Sequence, residues 1–543
     1  MSNQYVNVPK PVNDAIRMYA PGSPERAALK KELEKQSNEV LEIPLVIDGK
    51  EVLTQNKGKL VMPHDHSHVL ANYSIAGEEE IKAAIKSNLN AKEKWYAMPW
   101  EHRASIFLKA ADLISGPRRN KIIAATMLGQ SKSVFQTELD AACMMVDSLR
   151  YFVHIAQEIY RQQPNNAPTM WNRIEYRPLD GFIAAVCPFN FTAIAANLIM
   201  APAVMGNAVI WKPAPTAILS NYFIYQALLE AGLPKGVVNF LPAGGLETSE
   251  YMLKDENLAG FHFTGSTKTF KSVWSLVGDN IDNYYNFPRL VGETGGKGFV
   301  FAHSSANVNQ LVVSTIRGAF EYQGQKCSAA SRMFVPSSIW EATKEQLVRE
   351  TKNLKMGDVR DFETFLNAVI DEVAYKKIIG YIEYIKSSDN AEILCGGGYD
   401  DSKGWFIEPT IVVTKDRNYK TLKEEIFGPV LTIYVYEDDK FEEELQNMRR
   451  DAPYALTGAI FADDREAIAT MELILKEEAG NLYINDKPTG AMIGHQPFGG
   501  ARGSGTNDKA GSAFNLMRWT SPRTIKEVFL PPEVVPYPYM AKE

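Results

Sequence analysis

Cys327 sits in the polar stretch Glu321-Tyr322-Gln323-Gly324-Gln325-Lys326-Cys327-Ser328-Ala329, just past an amphipathic run at 312–320. A thiol attacks carbonyl carbon only as thiolate, and its pKa of roughly 8.5 falls beside a cation or a helix N-terminus. Lys326 is the neighbouring cation, and Gly324 permits a turn tight enough to present the sulfur in a cleft. Cys327 therefore reads as a nucleophile rather than a packed core cysteine. Two upstream residues could complete its chemistry. Glu293, in Arg289-Leu290-Val291-Gly292-Glu293-Thr294-Gly295-Gly296-Lys297, follows an apolar run and precedes a Gly-Gly turn. Its carboxylate should emerge at a strand end, where it can activate water. Asn190, in Cys187-Pro188-Phe189-Asn190-Phe191-Thr192, lies between a buried-strand pattern at 181–186 and a helix-like run at 193–205. An amide at such a junction is a ready donor to an oxyanion.

The elements that must hold these groups follow from periodicity. From Gly181 onward, short apolar runs at 182–186, 208–211, 237–241 and 261–263 alternate with helical patterns at 193–205, 217–231 and 246–253. Strand, helix, strand at this spacing predicts parallel strands with right-handed crossovers, the doubly wound arrangement that binds dinucleotides. The phosphate-holding turn would be Phe263-Thr264-Gly265-Ser266-Thr267-Lys268-Thr269-Phe270, where Gly265 closes a strand and a helix start offers free amides. Lys212, in Trp211-Lys212-Pro213, ends another strand at the same sheet edge. A second α/β region should contain 299–302, 333–335 and a helix at 339–355, with a late strand at 481–486. Upstream, 24–36 reads as a helix within a solvated arm packed on the first domain, 78–123 as two or three amphipathic helices, and 134–161 as one long helix. His64, His66 and His68 lie on one side of an extended segment and read as a loop leading into a strand at 69–74 rather than as a metal site.

A chain of 543 residues holds two or three domains, and 45% hydrophobic and 23% charged residues are ordinary for a globular protein. A net charge of −7 disfavours nucleic acid and anionic membrane as partners. Four cysteines in so long a chain make no disulfide framework and suit a reducing compartment. With neither a membrane-length apolar run nor the pattern of a leader peptide, the cytoplasm is the default expectation, or the mitochondrial matrix for a processed chain.

Pro-Phe-Asn at 188–190, Phe-Thr-Gly-Ser at 263–266, Glu-x-Gly-Gly-Lys at 293–297, Gly-Gln-x-Cys at 324–327 and Glu-Glu-Ile-Phe-Gly-Pro at 424–429 run in the order of the aldehyde dehydrogenase superfamily, which the chain closely resembles from 40 to 525. The resemblance implies an α/β fold with a Rossmann-type cofactor domain (1–165 and 180–293), an α/β catalytic domain (294–490) and a small β oligomerisation element (166–179 and 515–543). It implies NAD as cofactor, with NADP left open because Pro215 stands where an acid often faces the ribose. Lys212 would bind the adenosine ribose, Gly265, Ser266 and Thr269 the diphosphate, and Glu425 the nicotinamide ribose beside Phe427. Phe270 replaces the second glycine that most of the superfamily carries in the phosphate turn.

This departure, with the wording of 188–193, 289–297, 320–328, 483–490 and 496–509, is that of the branch oxidising glutamate γ-semialdehyde. Lys326, Ser328 and the amides of Gly490 and Ala491 would then receive the substrate's α-carboxylate, and Phe191 and Phe498 would clamp its methylenes. Ala491 lacks a hydroxyl that relatives often offer, and Met144 stands where some relatives carry a carboxylate towards the substrate ammonium. The competing readings are another ω-semialdehyde, succinic or aminoadipic, and a catalytically silent relative. The segments 171–177 and 519–531 resemble strands that pair between subunits, so at least a homodimer is expected.

Overall fold

The computed structural model describes residues 6–543. Its first sheet has the order Arg289–Glu293, Leu258–Thr264, Phe182–Val186, Val209–Lys212, Val238–Phe240, Leu45–Ile47, Lys50–Val52. The first five strands are mutually parallel, as short apolar runs separated by crossover helices require. Alternation along Phe182–Val186 fills both faces. Phe182 and Ala184 join one apolar cluster, Ile183 and Ala185 the other. Helices Thr192–Val204 and Ile218–Ala231 lie close to the expected spans.

Two further strands, not foreseen from the sequence, extend this sheet. Asp48 and Gly49 both adopt left-handed backbone (φ 53° and 69°), which folds Leu45–Ile47 onto Lys50–Val52 as a tight hairpin that completes the sheet antiparallel to its neighbour. The N-terminal arm packs on the first domain as expected, with Tyr19, Leu29 and Leu33 buried in its main core. The helix expected over 134–161 is interrupted. A turn at Val134–Thr137 passes into a π-helical segment, Glu138–Met144, before the helix Met145–Tyr160. The wider turn lets two acids face inward: Glu138 meets Arg119, and Asp140 meets Lys132 at 2.8 Å. The run at 246–253 behaves alike, as the single turn Gly245–Glu247 followed by π-helical Thr248–Leu253.

The second sheet runs Ala391–Cys395, Thr410–Thr414, Val430–Tyr436, Ala330–Pro336, Gly298–Ala302, Thr457–Phe461, Asn481–Ile484. All its pairings are parallel except the first. Helix Val308–Phe320 packs on this sheet and ends directly before the turn that carries Cys327. Apart from both sheets, Met170–Arg177 pairs antiparallel with Ser521–Val528 as a two-stranded ribbon. His64 lies in the turn before strand Asp65–Ser74, but His66 and His68 belong to the strand itself rather than to a loop before it, and each engages a backbone carbonyl, of Asp401 and Ser37. Among the described residues no helix is long and apolar enough to cross a membrane.

Arg119 is buried between Asp14, at 2.5 Å, and Glu138, tying the N-terminal segment to the helical layer. Removing one partner of a buried ion pair leaves uncompensated charge, at a cost of about 3–5 kcal/mol. Arg119→Met should therefore lower the urea midpoint followed by tryptophan fluorescence, and an unchanged midpoint would refute this account of the strap.

Candidate active site

Strand register places the functional groups along one edge of the first sheet. Lys212 lies beside Val186, Val186 beside Phe263, and Thr264 beside Glu293. With neighbouring strands about 4.8 Å apart, Lys212, the turn to Asn190, the Gly265 turn and Glu293 share the carboxyl edge. Ser266 caps helix Thr267–Asp279, its Oγ accepting from the Thr269 amide at 3.1 Å. The helix start thus opens at the sheet edge, where first-turn amides favour an anion. Phe270 stacks on Phe263 with ring planes 2° apart and centroids 5.5 Å apart. A Cβ on Gly292 would overlap the Phe270 ring, so the aromatic side chain uses room that a glycine on the adjacent strand leaves.

Beyond Glu293 the chain crosses to the second sheet, and the crossing brings the two halves into contact. A Cβ on Gly296 would overlap the carbonyl oxygen of Cys327, and the Gly296 amide donates to Glu425 Oε1 at 2.7 Å. Asn190 Nδ2 donates to the carbonyl of Gln325, two residues before Cys327, at 3.1 Å. This fixes the amide beside the sulfur-bearing turn and leaves its second hydrogen for another acceptor. The Glu293 carboxylate packs against Gly499, and its Oε2 has no hydrogen-bond partner among the described residues. Burial therefore raises its pKa well above the usual carboxylate range, and Lys509 only partly offsets this.

The structure corrects one expectation about Cys327. The residue keeps partial exposure, but burial together with the Glu293 and Glu425 carboxylates pushes its thiol up to about 12. Lys326 does not counter this. Its side chain turns into the protein and pairs with Glu321 Oε2 at 3.1 Å, and Lys487 Nζ lies 3.4 Å from Glu321 Oε1. Successive residues of a turn point in different directions, so adjacency in sequence gave no electrostatic proximity.

The remaining expected residues surround the same turn. Ser328 Oγ lies 2.8 Å from Thr489 Oγ1, joining the cysteine turn to the segment that leads into exposed Gly490 and half-exposed Ala491. Phe427 is left-handed (φ 59°), and its ring meets Phe189 edge-on at 6.0 Å. Phe498 is half-buried, its backbone paired with Ala510. The Phe191 ring carries the Lys132 ammonium 4.0 Å from its centroid, so one of its faces is already taken. Met144 ends the π-helical segment, half-buried. Sequence reasoning missed Lys132, Lys297 and Lys509. Lys297 is buried with no hydrogen-bond partner for Nζ among the described residues, which lowers its pKa to about 7. Single lysines in ordinary helical or loop patterns give no signal, because only the tertiary contact removes them from water.

A sequence model described as the aldehyde dehydrogenase family matches residues 53–525, and the chain belongs to that family. Among its relatives, the mitochondrial Δ1-pyrroline-5-carboxylate dehydrogenase of Dictyostelium discoideum is 52% identical over 98% of this chain and 96% of that protein. The human mitochondrial enzyme of the same name is 47% identical, over 98% and 94%. The crystal structure of the corresponding Mycobacterium tuberculosis dehydrogenase bound with NAD superposes with a TM-score of 0.96 at 48% identity, covering both chains completely.

With its thiol at about 12, Cys327 of the cofactor-free protein should be alkylated by iodoacetamide at a rate that still climbs above pH 9. Glu293→Gln, which removes a negative neighbour, should shift that profile to lower pH. A rate that levels off near pH 7 would overturn this picture of a protonated resting thiol.

Proposed function

We propose that this protein oxidises L-glutamate γ-semialdehyde, the open form of Δ1-pyrroline-5-carboxylate, to L-glutamate with NAD, the second step of proline catabolism. The carrying observation is the meeting of Cys327, Asn190 and Glu293 at one sheet edge beside Glu425. Full-length relatives bearing that activity in their names support the substrate. The residues present fit a dinucleotide: the capped helix start at Ser266 suits a diphosphate, Lys212 closes its strand at the same edge, and Glu425 faces glycines 295 and 296 where a side chain would not fit. The first sheet then constitutes the cofactor domain and the second the catalytic domain. When bound, the nicotinamide would supply the hydride acceptor and a positive charge.

The chain's own groups do the rest. Glu293 takes the thiol proton directly or through water, and the Cys327 sulfur attacks the aldehyde carbon. The oxyanion receives the free hydrogen of the Asn190 amide, fixed by its bond to Gln325. Collapse of the oxyanion expels the C–H electron pair as hydride and leaves a thioester on Cys327. Glu293 passes the thiol proton to solvent and then takes a proton from water, whose oxygen adds to the thioester carbon; collapse of that adduct breaks the C–S bond and releases glutamate, and the expelled Cys327 thiolate recovers its proton from Glu293. Lys326 and Lys487 share a single carboxylate, Glu321, which leaves positive charge for the substrate's α-carboxylate beside Ser328 and the Gly490 and Ala491 amides. Phe191 and Phe498 border its methylenes.

Assembly and setting complete the reading. A two-stranded ribbon is marginal alone, and Met170–Arg177 carries Trp171, 48% exposed, so the ribbon docks on another subunit and the protein is at least a homodimer. All four cysteines are free, in keeping with a reducing compartment: the cytoplasm, or the mitochondrial matrix as in the names of the two relatives.

NADH formation measured over a panel of ω-semialdehydes should give the highest kcat/KM with glutamate semialdehyde, and higher values with NAD than with NADP. A clear preference for succinic or aminoadipic semialdehyde would replace this substrate. Cys327→Ala should abolish turnover while retaining NAD binding, and Asn190→Ala should slow hydride transfer by about 10²-fold or more. Glu293→Gln, measured by rapid mixing, should retain a burst of NADH with little steady turnover; unchanged turnover would remove Glu293 from the role of base.

A further inference from the structure

A buried ammonium outside the reacting set stands directly beneath it. Lys132 has no exposed surface, and its Nζ donates to Asp140 Oδ2 at 2.8 Å and to the backbone carbonyl of Asn190 at 2.9 Å. The same ammonium lies 4.0 Å from the Phe191 ring centroid and 4.5 Å from that of Tyr322, which belongs to the turn leading to Cys327. Asp140 is engaged as fully: Oδ2 accepts from the Thr192 amide and Oδ1 from the Ala193 amide, each at 2.9 Å, at the start of the helix that follows Asn190. The residues on either side tie down the same two loops. Gln130 Nε2 donates to the Phe189 carbonyl at 2.5 Å, and Gln323 Nε2 donates to the Ser131 carbonyl at 2.9 Å. Three consecutive residues, Gln130 to Lys132, therefore clasp the loop of the oxyanion donor on one side and the loop of the nucleophile on the other.

Burying an ion pair seldom gains stability over hydrocarbon of the same volume, so stability alone is a weak reason for this arrangement. Its contacts converge on backbone atoms that set where one side-chain amide points. We infer that Lys132 and Asp140 form a positioning pair that fixes Asn190 against the Cys327 turn, so that the amide is aimed at the oxyanion before an aldehyde arrives. The pair touches neither substrate nor reacting atoms; it acts through Asn190. This inference rests on the proposed aldehyde oxidation, and it concerns the step in which the oxyanion forms and hydride departs.

The test is a double-mutant cycle read as the rate of the NADH burst at saturating NAD. Lys132→Gln, alone, should slow the burst by about ten- to a hundredfold, the scale of an ångström-sized misplacement, with little change in NAD affinity. In the Asn190→Ala background the same change should alter the burst less than about twofold, because the group being aimed is gone. Equal losses in both backgrounds, or no loss in either, would overturn the inference, since a merely structural lysine gives additive effects. Should Lys132→Gln not fold, Asp140→Asn, which keeps the ammonium on the Asn190 carbonyl but removes its counter-charge, is judged by the same non-additivity. The two readings fail differently. A wild-type burst with propanal but not with glutamate semialdehyde discards the proposed substrate, and the cycle is then decided with propanal. A wild type that reduces NAD with neither aldehyde discards both.

Discussion

The site depends on a short piece of backbone that would not hold its shape alone. Tyr322 and Gln323 are both left-handed, at φ 54° and 56°, and Gly324 follows at 67°. Left-handed backbone costs about 1–2 kcal/mol for each residue bearing a Cβ, so the turn must be held from outside. Gln323 does much of this with its side chain, donating to the Ser131 and Ala368 carbonyls and accepting the Asn367 amide at 2.9 Å. Gln325 accepts the Ile370 amide at 2.9 Å in the same manner. At Gly324 a Cβ would overlap the Gly428 carbonyl, so that position has neither the conformational nor the spatial freedom for a side chain. The result is a rigid loop that ends helix Val308–Phe320 and delivers Cys327 to the Asn190 amide.

Around that loop the electrostatics favour neutral resting groups. Thiol and carboxyl are both buried, which raises the affinity of each for protons, and the Glu293 carboxylate pushes the sulfur's pKa up further. Two ionised neighbours would repel in a medium of low dielectric. A bound nicotinamide would add positive charge to that balance and so favour the ionised sulfur. Lys326, the nearest cation in sequence, is paired with Glu321 instead.

Much of the fold was legible because it rests on local pattern. Apolar runs too short for helices, separated by amphipathic ones, give parallel strands nearly independently of context, and Phe182–Val186 falls on its expected span. The candidate cysteine, acid and amide were legible for a related reason, since each stands at a junction between elements where a polar residue has no packing purpose. What escaped was set by tertiary contact. The π-helical segment Glu138–Met144 exists because Glu138 and Asp140 both find buried cations, Arg119 and Lys132, whose approach no local pattern announces. The Asp48-Gly49 hairpin was missed because the strands it joins have only three residues each. The direction of the Lys326 side chain was unreadable from adjacency.

The stacked rings at the phosphate turn carry a consequence for how such sequences diverge. Phe263 and Phe270 lie face to face, Gly265 stands so close to Phe263 that a Cβ would come within 2.6 Å of its ring, and Gly292 leaves the space that Phe270 occupies. Neither glycine can accept a side chain while the two rings stay as they are, so the glycines should be inherited together with the rings. A lineage exchanging Phe270 for a small residue would open a void over Gly292, and drift at that glycine is blocked for as long as the ring remains.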